Sequence, residues 1–61
     1  MLRGQEVQVK AFGGVVLQRI VIEHLIDTVV VCDAEEWKAA MREGRQPIGI
    51  GFPVSAVSDS K

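Results

Sequence analysis

At 61 residues and 6.7 kDa the chain has room for one domain. With a single cysteine, Cys32, and a single histidine, His24, it has neither a disulfide nor the four soft ligands of a structural zinc site. Seven Lys or Arg against eight Asp or Glu leave a net charge of −1, which counts against nucleic acid, whose binders carry a basic footprint.

The first element is a strand. In QEVQVKAF, Val7, Val9 and Ala11 alternate with Gln8 and Lys10, the period of a half-buried strand. Gly13-Gly14 then predicts a hairpin, because a tight type I′ turn needs positive φ at two successive residues. A glycine pair could also cradle phosphate, but that use needs a helix N-terminus next, and the residues after Gly14 are β-branched. The run VVLQRIVIEHLI, residues 15–26, is rich in β-branched residues and predicts a long second strand. Its parity breaks at Gln18-Arg19. A bulge there would bend the strand, turning Val15, Leu17, Ile20 and Ile22 inward and Val16, Val21 and Glu23 outward.

DTVVVC predicts a third strand, followed by the clearest local signal in the chain, DAEEWKAAMREG. Asp33 is placed to cap a helix, with Glu36 at capping-box spacing. Trp37, Ala40 and Met41 recur at i, i+3, i+4 and form an apolar face for packing on the sheet. Acids in the first turn, Lys38 and Arg42 in the last, and Gly44 at the end predict a helix over 34–43. After the link GRQP, Ile48, Ile50 and Phe52 alternate with Gly49 and Gly51 as a fourth strand. Pro53 opens a turn, and Ala56-Val57 give a brief fifth strand. Residues 1–57 form the single domain, with 58–61 as a disordered polar tail.

The architecture expected from this order is mainly β: a small SH3-like barrel of about five strands, with the helix inserted between strands 3 and 4. A hairpin, a bent second strand and the segment FPVSAV resemble that family, in which a short 3-10 turn after the penultimate strand delivers the last one. Within it, FPVSAV is similar to the closing segment of the type II dihydrofolate reductases, tiny barrels that work as tetramers. The similarity covers about a seventh of the chain. Where that family contacts its ligands with a Gln-Ile-Tyr run before the proline, this chain has Ile50, Gly51 and Phe52. The resemblance therefore supports the barrel and argues against the reductase activity.

Candidate sites are few. Asp33, Glu35 and Glu36 are adjacent acids, better explained by capping and the helix dipole than by a metal. Lys38, Arg42 and Arg45 fall at i, i+4, i+7 and would form a basic, anion-binding stripe if the helix reached Arg45. The alternative is a solvated face. His24 has no nucleophile placed beside it by sequence, and Cys32, ending a valine strand, reads as a buried small hydrophobe. Trp37 reads as a core anchor. Gly49 and Gly51 could admit a ligand or another backbone, but in a strand they read as a bulge or a close crossing.

No constellation meets the demands of nucleophilic, metal or acid-base catalysis, so a non-enzymatic interaction module is expected, without a cofactor. Folding would bury roughly 5,800 Å². With about 60% of that area apolar, burial contributes about 85 kcal/mol at ~25 cal/mol/Å² against an ordering cost of about 90 kcal/mol, which leaves no surplus. Association with itself or a protein partner is the remaining way to gain stability. The expected interface is Val16 and Val21 with Arg19 and Glu23 at its rim, aided by Gly49 and Gly51. Two alternatives stand beside it: nucleic-acid or anion binding through the basic stripe, and an enzyme whose site forms only at an oligomer axis. No apolar run approaches the ~20 residues of a membrane span, and MLRGQEVQVK lacks a secretory apolar core. A reducing, cytoplasmic setting is therefore expected.

Overall fold

In a computed structural model that describes residues 1–60, five strands form one antiparallel sheet and a single helix packs beside it. The strands are β1 (Glu6–Lys10), β2 (Val16–His24), β3 (Thr28–Cys32), β4 (Ile50–Pro53) and β5 (Val57–Asp59), with α1 (Ala34–Glu43) between β3 and β4. Their spatial order is β4-β3-β2-β1-β5. The sheet is open: its edges β4 and β5 are joined by a 3-10 turn over Val54–Ala56, not by a ladder.

The β1–β2 hairpin forms where the glycine pair predicts it, through a loop one residue longer than a type I′ turn. Phe12, Gly13 and Gly14 bridge Ala11 and Val15, and Ala11 donates to the Val15 carbonyl at 2.7 Å. Both glycines carry positive φ, 80° and 83°, and Gly14 closes back on the Ala11 carbonyl.

The inner face of the sheet is almost entirely valine. Val7, Val9, Val21, Val29, Val31 and Val57 form the buried core, with Met1, Leu17, Phe52 and Val54 packed against it. Short β-branched side chains suit such a layer, since they fill a pleated surface with little rotamer entropy to lose. Ile20 and Cys32 face each other on the opposite side of the sheet and are also buried. There α1 contacts β2, and Ile20 and Ala34 line the same small recess.

This two-sided burial moves the expected bulge. The β1–β2 register runs unbroken through Gln8↔Gln18 and Val7↔Arg19, so no bulge exists at Gln18-Arg19. The irregularity lies between Val21 and Glu23, in the β2–β3 register. Leu17, Arg19 and Val21 therefore share the inner face with Val7 and Val9, and Val21 is fully buried. Leu17 faces inward and Val16 outward as expected, but from Ile20 on the parity is inverted, because the expectation assigns Ile20 to the core whereas the helix side of the sheet is what covers it.

The helix spans Ala34–Glu43 as predicted. Asp33 accepts from the Glu36 N–H at 2.7 Å, and Gly44, at φ 68°, closes the other end by donating to the Ala40 carbonyl. Of the expected packing face, Ala40 is fully buried and Trp37 half-buried, while Met41 is 48% exposed. Trp37 instead packs toward the N-terminal segment, with the Arg3 guanidinium 5.3 Å above its ring.

The tail differs from expectation. Ser58 and Asp59 continue β5, and Ser60 donates to Gln18 at 3.0 Å. Lys61, the last residue of the expected disordered tail, lies outside the described residues. No helix of the described residues is long and apolar enough to cross a membrane.

Candidate functional site: an apolar cleft beside the β4 edge

The residues expected to form one self-association patch are not brought together. Val16 is about half exposed and stands opposite Lys10, whereas Val21 lies in the core. Arg19 is half-buried on the inner face, and Glu23 is exposed beyond the bulge, opposite Val30. Unbroken alternation in β2 sets Val16 apart from Arg19 and Val21, and the shift between Val21 and Glu23 turns Glu23 away from Arg19 and Val21 as well.

The two strand glycines are used inside the chain. A Cβ on Gly49 would collide with the Val31 carbonyl oxygen, and one on Gly51 would lie 2.9 Å from the Thr28 methyl. The close crossing is therefore made with β3 of the same chain.

The basic stripe also dissolves. Gly44 ends α1 in a left-handed turn, so Arg45 leaves the helical phase of Lys38 and Arg42. Its guanidinium folds back onto Glu36 at 2.6 Å and Glu43 at 2.8 Å. The same Glu36 carboxylate accepts the Ile48 N–H at 2.9 Å. Glu36 thus does not close a capping box; it pins the link between α1 and β4. These two bonds, Arg45 first, hold the Glu36 carboxyl below the ordinary value of 4.5, while the bonds to Glu36 and then Glu43 hold the Arg45 guanidinium above its own.

What the fold does assemble is a cleft of about 250 Å³ on the inner face. Leu17 and Arg19 of β2 line one side, Val31 of β3 the floor, and Ile48, Ile50 and Phe52 the other side, with Cys32, Asp33 and Glu36 at one end. Its surface is mainly apolar. Each charged group there is committed elsewhere: Asp33 to the helix cap, Glu36 to Arg45 and Ile48, and Arg19 to the Gln18 carbonyl at 2.7 Å.

Cys32 ends the cleft as a quiet thiol. Burial raises its pKa above the ordinary value, and the neighbouring Asp33 and Glu36 carboxylates raise it further. His24 lies elsewhere, accepting at Nδ1 from the Met1 amine at 2.9 Å. Among the described residues no three His, Cys, Asp or Glu side chains cluster as a metal site would need. A broader depression near Gln5, Glu6, Asp59 and Ser60 is as polar as it is apolar, and Gln5 already donates to Asp59 there.

The most exposed large apolar residues beside the cleft are Ile48 and Ile50, at 77% and 68%. The sequence carries a signal for this lip that alternation alone does not bring out: no charged residue stands between Arg45 and Asp59. An edge strand without a charge lacks the usual guard against pairing with another chain.

Comparison with known protein families, with curated proteins and with solved structures finds no match to this chain. The geometry of the cleft and of the β4 edge is what bears on function.

Proposed function

We propose that this protein is a non-enzymatic interaction module, a small barrel of the SH3-like kind, that works as an assembly of its own copies. The strand order β4-β3-β2-β1-β5 and the 3-10 turn that carries the chain from β4 to β5 support the barrel reading. One observation carries the self-association reading: Ile48 and Ile50 stand exposed on the lip of an apolar cleft, within an uncharged stretch that includes a sheet edge.

The surface area supports it too. The described chain exposes 4248 Å². A compact monomer of its mass exposes about 3,900 Å². Chemistry at the cleft is disfavoured by the surroundings of its groups, since burial and the neighbouring carboxylates push the Cys32 thiol up and both carboxylates are engaged. Anion binding through Lys38, Arg42 and Arg45 loses Arg45 to the Glu36 and Glu43 ion pairs.

Sedimentation at micromolar concentration tests the reading. A dimer or larger species is expected, with a melting temperature that rises with protein concentration. A 6.7 kDa monomer with a concentration-independent melt overturns it.

A further inference from the structure

The sheet has two free edges, and they are guarded differently. The β5 edge has three residues and ends in Asp59, whose carboxylate already accepts from Gln5. Short length and charge are the usual protections of an edge. The β4 edge is also short, four residues ending in Pro53, but it carries no charge, and Ile50 and Gly51 are exposed.

The direction of its free backbone groups follows from the register. Pro53 stands opposite Thr28, and the Val54 N–H reaches the Asp27 carbonyl at 3.0 Å. That bond flanks a pair that does not itself exchange hydrogen bonds, so the next pair, Phe52 with Val29, exchanges both. By alternation Ile50 also bonds to β3, and Gly51 turns its N–H and C=O to the free edge. One donor and one acceptor on a single residue are self-complementary under a two-fold axis, so a second copy in antiparallel orientation satisfies both, and it brings the same uncharged edge and exposed Ile50 to the contact.

We propose that two copies of this chain pair antiparallel along the outer edge of β4, with Gly51 facing Gly51 of the second copy across the two-fold axis. This rests on the self-association reading and specifies its contact. The two glycines exchange N–H···O=C bonds. Ile50 then stands opposite Phe52 of the second copy, as a pair that exchanges no hydrogen bonds and whose Cα atoms are about 4.5 Å apart. The inner face becomes continuous across the axis, and the exposed Ile50 side chain gains an aromatic neighbour. Pro53 has no N–H to give, so the ladder stops within one residue of the strand end. A standard interface takes about 800 Å² from each partner, which is about a fifth of the 4248 Å² exposed here. A four-residue ladder is too small for that, and the cleft lip with Ile48 belongs to the contact as well.

Disulfide trapping tests the register. Ile50→Cys and Phe52→Cys chains are mixed in equal amounts and oxidised, with the unmodified chain as control for the buried Cys32. The mixed 50–52 product is expected to exceed the 2:1:1 statistical yield over the two like-with-like products. Sedimentation of the unmodified chain is measured alongside. A dimer that gives only statistical or like-with-like products overturns the β4 pairing and leaves self-association standing, whereas a monomer overturns both. Because Phe52 packs on the core, a second variant is used that does not touch it: Ile50→Lys, at an exposed position. This should raise the dimer dissociation constant at least about tenfold with the fold intact by circular dichroism, and an unchanged constant overturns the proposal.

Discussion

Gly49 and Gly13 show how differently two glycines can be required. At Gly13 the space is open and only the backbone matters, since φ is 80° and a Cβ there would meet nothing within 4 Å. At Gly49 a Cβ would collide with the Val31 carbonyl of β3, a backbone atom that cannot move without moving the strand. Gly13→Ala should cost about 1 kcal/mol, the penalty of a left-handed alanine. Gly49→Ala should cost about 3 kcal/mol, the upper range for overpacking, and urea denaturation of the two variants ranks them. A smaller loss at Gly49 than at Gly13 would mean that the β3–β4 crossing has room to spare. Cys32 offers a second residue-scale check. Buried and flanked by two carboxylates, it should react with a thiol reagent at least about tenfold more slowly folded than in urea. Equal rates would show the thiol exposed.

The helix is the element whose ends the chain specifies most completely. Asp33 caps one end, so Asp33→Ala should cost about 1 kcal/mol. Glu36 ties the helix to the β4 link through Arg45 and the Ile48 N–H, and this makes a contribution that depends on pH. Its carboxyl is held below 4.5, so the contribution is complete above that ordinary value and fades as pH falls through the lower folded value. Glu36→Gln should therefore lower the urea midpoint at pH 7 and reduce its drop between pH 5 and pH 3. A variant with an unchanged acid profile would show that the Arg45 pair is dispensable. Trp37 is half-buried beneath Arg3 and beside Gly4, so Trp37→Ala should cost about 3 kcal/mol, the lower end for a large aromatic.

At the scale of the molecule, the core is a thin layer of valines, and a large share of the remaining apolar side chains stay outside it. Phe12, Val15, Val16, Leu25, Ile26, Ile48 and Ile50 are all about half exposed or more. Substitutions should divide sharply along that line. Val21→Ala removes two buried methyl groups and should cost about 2–3 kcal/mol, enough to shift the melt of so small a domain by roughly 10 °C or more. Val16→Thr, at a half-exposed position opposite Lys10, should leave the melt of the dissociated chain nearly unchanged. Melting curves of both at one low concentration decide it. Equal losses would mean that the parity of β2 runs the other way.

The local elements of this protein follow from its sequence because their causes are local. An Asp cap, an i, i+3, i+4 face and a terminal glycine define α1 without help from elsewhere, and a glycine pair between β-branched runs defines the first hairpin. Alternation likewise identifies β1, and Pro53 with the residues after it marks the turn into β5. The inner and outer faces of β2 depend on something remote. Ile20 and Val21 are adjacent and both buried, which no alternating pattern in one strand can express. They are buried because the sheet has the valine core on one side and the helix side on the other. The cleft depends equally on remote partners, since Leu17, Val31 and Ile50 meet only through ladders that join β2, β3 and β4. Arg45 reads as one more cation on a helix until the left-handed turn at Gly44 aims it back at Glu36. Hydrogen-bonded turns and caps act over a few residues and are written in order along the chain. Register and burial are set by which segments meet, and that is decided only when the whole chain folds.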